Sequence, residues 1–234
     1  MVRTFVVLPK TIGRCGSTWL CDLIDSHPDA SCLGEVFNPD QRETYHDLFG
    51  CLGESQDPAR LFGCLATLLP GARVWGFKLF RQTLGDRLLR EVLAHVDAVV
   101  LINRQNLTQA LASELHARET KLWHVRDEAL PADALQHRIV IDVEAARERL
   151  ASAVATGVAI ERMLGETGVP SVEIDYEQLV ASTETCMAQV FSFLALPPAA
   201  VRSTYRKIHG DSAFVANLDE VNRELGPSFG YLVV

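Results

Sequence analysis

The sequence predicts an α/β fold, a mostly parallel central sheet flanked by helices on both faces. Three observations carry that expectation. Residues 5–20, FVVLPKTIGRCGSTWL, run from an apolar, β-branched strand through a Pro/Gly-punctuated loop into a helix starting near Ser17. Strand-like and helix-like segments then alternate along the chain, the pattern of crossover units in a parallel sheet. Residues 98–103, AVVLIN, are almost continuously apolar, as a strand covered on both faces must be.

The elements follow in order. After the strand at 5–8 and its loop, residues 18–26 set Trp19, Leu20, Leu23 and Ile24 at helical spacing, and Ser26-His27-Pro28-Asp29 is a turn. Residues 31–37, SCLGEVF, form a short apolar run with a Gly-Glu pair inside it. Helices are expected around 43–50 and 58–69, a strand over 73–80, a helix near 84–95, the strand 98–103 and a long helix over 106–123. Residues 138–141 read as extended. Residues 143–167 form an amphipathic helix with Asp142 as N-cap, whose carboxylate can accept the first free backbone N–H groups. A strand at 172–175, helices near 177–181 and 183–195, Pro197-Pro198 and a last helix near 217–225 complete the chain. No repeat, low-complexity tract or long linker divides it, so residues 1–234 are expected to form a single domain.

Composition narrows the function classes. A hydrophobic content of 48% and a charged content of 22% are ordinary globular values. The net charge of −8 argues against broad nucleic-acid binding, so cations for an anionic ligand must be gathered locally. No apolar run approaches the roughly 18 residues of a membrane span, and the first strand begins too early to leave room for a secretory signal. The six cysteines, Cys15, Cys21, Cys32, Cys51, Cys64 and Cys186, show no CxxC pair and no zinc spacing with histidine. They are therefore expected to be mostly reduced and buried, in a cytoplasmic protein without a metal. Cys15 stands at a helix start beside Arg14, where a thiol pKa would fall, although the loop's need for a small residue explains it more simply.

The first loop is built for an anion and is P-loop-like. Gly13 and Gly16 allow close backbone approach, the helix start adds partial positive charge, and Arg14, Ser17 and Thr18 supply donors. It lacks the GK of a GxxxxGK[ST] loop. Arg14-Cys15-Gly16-Ser17-Thr18-Trp19 instead resembles the 5′-phosphosulfate loop of sulfotransferases that use 3′-phosphoadenylyl sulfate (PAPS), where a basic residue, a small residue, Gly, two hydroxyl residues and an aromatic or apolar residue follow one another.

The second motif follows the AVVLIN strand, which ends in Asn103-Arg104 rather than in the carboxylate that many phosphotransferases use to hold magnesium. A cation there suits direct binding of a second phosphate. In sulfotransferases an Arg at this point and a Ser eight residues on hold the 3′-phosphate of PAPS. Here the eighth position is Ala112 and the serine is Ser113, a slip that turns a helical side chain by about 100°. Either the local register differs, or another donor such as Gln109 takes over.

Further downstream, SELHARETKLWH and the run from IDVEAARERL to the Tyr176-Glu177 pair are similar to bacterial glycan sulfotransferases of the nodulation-factor and trehalose type. That resemblance covers roughly residues 5–195. The tail 197–234 matches poorly, with only Arg202, Arg206, Lys207 and Gly210 in place of a basic, Gly-rich closing segment. It implies PAPS as sulfate donor, no metal requirement, and a small hydroxyl acceptor met by an insert over 38–72 and by residues 123–137.

Sulfuryl transfer needs a hold on the phosphosulfate, a cation for the leaving oxygen and a base for the acceptor proton. Arg14, Gly16, Ser17 and Thr18 fill the first role, and Arg14 with Lys78 of GFKLF the second. Glu35 is the candidate base. A carboxylate among Cys32, Leu33, Val36 and Phe37 would have a raised pKa, and the same bacterial enzymes carry a Gly-Glu or Gly-x-Glu element here. On the residues alone Glu35 reads equally well as an exposed turn residue. Trp123 and His124 are candidates for the acceptor pocket, with His124 as reserve base. Two rivals stand beside the enzyme reading. One is a catalytically silent PAPS-binding module. The other is a small-molecule kinase, for which Asp142 is the sole candidate metal-holding carboxylate. The residues leave monomer or homodimer open.

Overall fold

The computed structural model describes residues 3–41, 43–52, 57–69, 71–123, 136–205 and 212–233. Five parallel strands, β1 (Arg3–Pro9), β2 (Ala30–Glu35), β3 (Val74–Lys78), β4 (Ala98–Asn103) and β5 (Ser171–Asp175), stand in the order β2-β3-β1-β4-β5. The helices are α1 (Ser17–Asp25), α2 (His46–Leu52), α3 (Pro58–Leu68), α4 (Arg81–Leu93), α5 (Leu107–Thr120), α6 (Val143–Thr167), α7 (Tyr176–Ala181), α8 (Thr183–Phe193) and α9 (Leu218–Phe229).

The two-residue alternation of β1 explains the layers. Phe5 and Val7 face one cluster with α1 and α8, while Val6 and Leu8 face the other with α3, α4 and α6. Both faces are fully buried, which is why β1, β3 and β4 read as apolar runs. A third cluster joins α5, α6 and α9 around Leu111, Leu150 and Val221.

This strand order places the site. The chain leaves β1 for β2 and β3 on one side and continues to β4 and β5 on the other. The β1–α1 loop therefore sits at the point where the order reverses, and there the carboxyl ends of the strands open a crevice.

Several expectations are corrected. The helix over 106–123 is shorter, because Lys121 adopts a left-handed φ of 62° and ends α5. The helix near 84–95 starts earlier, at Arg81, and is interrupted at Gly85 (φ 71°, ψ 170°). Residues 138–141 form no strand of the sheet; Ile139 makes a single parallel bridge with Val215. Reduced cysteines are found for Cys15, Cys21, Cys32 and Cys186, all buried. Cys51 and Cys64 are instead joined in a disulfide that ties α2 to α3. No helix among the described residues is long and apolar enough to cross a membrane.

Thiol titration of the unfolded, unreduced chain should therefore count four thiols, and peptide mapping should link Cys51 to Cys64. Reduction should cost about 3 kcal/mol of stability, the entropy of a closed loop of this length. Six free thiols in the unreduced chain would contradict the cross-link.

Candidate functional site

One open cavity of about 970 Å³ collects side chains from the β1–α1 loop and the carboxyl ends of β2, β3, β4 and β5. The loop is shaped by two left-handed residues, Arg14 (φ 61°) and Gly16 (φ 82°). Gly16 is required twice over. Its φ disfavours side chains, and an added Cβ would sit 2.5 Å from the Tyr176 ring, which follows β5. Cys15 turns inward, and burial pushes its thiol pKa up rather than down, so it is the small core residue of the loop. Ser17 is buried at the first turn of α1, and Trp19 is half-buried against the α1–α8 cluster while lining the cavity.

At one end of the cavity stands a paired cation. Lys78, the last residue of β3, is 4% exposed. Its Nζ donates to Thr18 Oγ1 at 2.8 Å and lies 2.8 Å from Glu35 Oε1. Glu35 ends β2, and its Oε2 accepts from Asn38 Nδ2 at 3.0 Å. The carboxylate is half-buried beside an ammonium, not sealed among apolar side chains as the sequence suggests. Asn38, Asp40, Gln41, Gln82 and Thr83 line the cavity with Phe80, giving it hydrogen-bonding groups and a second carboxylate near Glu35.

Two cations at the other end lack such a partner. Arg104 follows β4, is 5% exposed, and lies with its guanidinium 4.6 Å from the centroid of the Tyr176 ring. Its Nη1 donates to the Arg14 carbonyl at 2.6 Å, and its Nε has no hydrogen-bond partner. The Arg14 side chain reaches α5 and the segment that follows it. Its Nε donates to Ser113 Oγ at 3.2 Å and its Nη1 to the Trp123 carbonyl. Burial lowers the pKa of both guanidiniums, and Arg104 lowers that of Arg14 further. Neither arginine has a carboxylate within ion-pair distance among the described residues. A buried charge without an ion-pair partner is costly, and an anion bound beside the buried Arg104 would offset that cost.

The helical register shows which way Ala112 and Ser113 face. Asn106 caps α5 by accepting from the Gln109 N–H at 3.0 Å. In this register Ala112 is fully buried against α6 and α9, while Ser113 faces the cavity together with Gln109. Trp123 also lines the cavity and is 41% exposed. His124, Arg206, Lys207 and Gly210 lie outside the described residues, and Arg202 is not part of the cavity wall. The Asp142 carboxylate accepts from the Glu144 and Ala145 N–H groups at 3.1 Å, acting as the helix cap.

Sequence reasoning passed over Asn38 and the role of Tyr176 as a platform for Arg104. The position of Tyr176 directly after a strand, at the binding edge of the sheet, was the available signal.

No protein-family model matches the chain, and no curated protein matches it. Solved structures do. A sulfotransferase from Alicyclobacillus acidocaldarius superposes with a TM-score of 0.55 at 15% identity, covering 97% of this chain and 92% of that one. The chain has a sulfotransferase fold. The sulfotransferase domain from the curacin biosynthetic pathway gives a TM-score of 0.51 at 15% identity, over 84% of this chain and 75% of the domain.

Replacing Gly16 by Ala should destabilise this fold by about 1–3 kcal/mol, through the left-handed φ and the contact with Tyr176. At roughly 2–4 °C per kcal/mol for a chain of this size, the melting temperature should drop by several degrees. An unchanged melting temperature would contradict the loop geometry.

Proposed function

We propose that this protein is a sulfotransferase that moves a sulfuryl group from PAPS to a hydroxyl of a small glycan, glycolipid or other alcohol. The observation that carries the reading is a division of labour in one cavity. A lysine paired with a carboxylate lines one part, and a buried and a half-buried arginine, without ion-paired carboxylates among the described residues, line another.

PAPS carries a 5′-phosphosulfate and a 3′-phosphate, and it supplies the sulfuryl group. The residues fit it. Arg104, Arg14 and Ser113 form the hold for the 3′-phosphate, with the unpartnered Arg104 Nε as the free donor. The backbone of the β1–α1 loop, the α1 N-terminus, Ser17 and Thr18 form the hold for the 5′ end. Trp19 and Tyr176 offer aromatic faces beside these groups.

Lys78 and Glu35 do the chemistry. Glu35 takes the proton of the acceptor hydroxyl as the oxygen–sulfur bond forms. Lys78, held by Thr18 and Glu35, supplies positive charge to the oxygen that leaves with the 5′-phosphate. Its burial makes that charge more effective than it would be in water. The amide and hydroxyl side chains near Glu35, with Phe80 and Trp123 as aromatic faces, suit an uncharged polyhydroxyl acceptor.

Adenosine 3′,5′-bisphosphate at a hundredfold excess over its Kd should stabilise the protein by about 2.7 kcal/mol, a rise of roughly 5–10 °C in melting temperature. Arg104→Ala should abolish most of that rise; an equal rise in the variant would contradict the phosphate assignment. Glu35→Gln should lower sulfate transfer by about 10²–10⁴-fold with bisphosphate binding nearly unchanged. Transfer at the parent rate would remove Glu35 as the base.

A further inference from the structure

Glu35 meets Lys78 only because β2 is irregular. Leu33 pairs with Phe77, and the next partner of Lys78 is Glu35, so Gly34 is the extra residue of a bulge. In a regular strand the residue opposite Lys78 would be Gly34, and Glu35 would share the face of Leu33, which packs on the α3–α4 cluster. The bulge is thus what delivers the carboxylate to the ammonium.

The Gly34 carbonyl and the Glu35 carbonyl and carboxylate are bonded locally, by Val36 and Asn38, while the Gly34 N–H is bonded to a side chain from further along the chain. The Gly34 N–H donates to Tyr45 Oη at 2.7 Å, across eleven residues of sequence. The fit is close enough that a Cβ on Gly34 would also lie 2.7 Å from that oxygen. Tyr45 is itself fixed. Its N–H donates to the Gln41 carbonyl at 3.0 Å, and its ring packs on the core cluster that includes Leu48 and Leu61. It leads into α2, which the Cys51–Cys64 disulfide ties to α3. Burial pushes the phenol pKa up, and the bond from Gly34 opposes that shift.

We propose that Tyr45 is a positioning residue for catalysis, holding the Gly34 bulge so that Glu35 stands opposite Lys78 at the acceptor end of the cavity. This rests on Glu35 acting as the base. Small displacements of a catalytic group carry large rate penalties, so a loosened bulge should act on turnover and not on nucleotide affinity.

The test is a double-variant cycle on the full chain, with turnover of PAPS counted per bisphosphate-binding site so that misfolded protein does not enter. Tyr45→Phe should lower kcat roughly tenfold or more with the KM for PAPS unchanged. Gly34→Ala, which crowds the same contact from the other side, should do the same, and it stands in if Tyr45→Phe does not fold. In a Glu35→Gln background, followed by long single-turnover incubations, Tyr45→Phe should have no further effect. Loss of the same factor in that background would show that Tyr45 acts independently of Glu35 and overturn the proposal. Parent turnover in Tyr45→Phe, with Glu35→Gln inactive, would overturn the Tyr45 assignment alone. Parent turnover in Glu35→Gln would overturn the base assignment and this proposal with it.

Discussion

A half-buried Arg14 beside a buried Arg104, neither in ion-pair contact with a carboxylate among the described residues, is the constraint on which the site depends. Arg104 is fixed by the Arg14 carbonyl and the Tyr176 ring, and Arg14 by Ser113 and the Trp123 carbonyl. None of these partners is charged, and the carboxylates that act on the pair, Glu114 on Arg14 and Glu177 on Arg104, do so without ion-pair contact. The other end of the cavity is built in the opposite way, with Glu35 neutralising Lys78. A protein of net charge −8 thereby keeps a locally positive site.

The sheet makes that arrangement possible. Loop residues after β1, the ends of β2 and β3, Arg104 after β4 and Tyr176 after β5 come from the carboxyl ends of all five strands. They converge because all five strands are parallel and the order reverses at β1. Close backbone contacts then fix the details. Gly16 lets the loop lie against Tyr176, and the extra residue at Gly34 turns Glu35 toward Lys78.

Much of this was legible in the sequence, and the limits are instructive. Apolar runs and helical spacing gave the alternation of elements, and the loop at 13–18 and Arg104 could be read from residue type and position. Partnerships across long separations could not. Lys78 reaches Thr18 across 60 residues and Arg14 reaches Ser113 across 99, and one sequence carries no record of either contact. Arg14 reaches Ser113 from a left-handed backbone at a non-glycine residue, which propensity disfavours. The disulfide is not legible because Cys51 and Cys64 stand thirteen positions apart without any recognised spacing. Lys121 ended a helix whose sequence pattern continues, since only its backbone conformation marks the stop.

The central claim is that Arg14, Arg104 and Ser113 recognise a 3′-phosphate. Titration calorimetry with adenosine 3′,5′-bisphosphate and with adenosine 5′-phosphosulfate, which lacks that phosphate, tests it directly. The account predicts that the bisphosphate binds at least about tenfold more tightly, the equivalent of one charge-assisted contact of about 1.4 kcal/mol. Equal affinity for the two would contradict it.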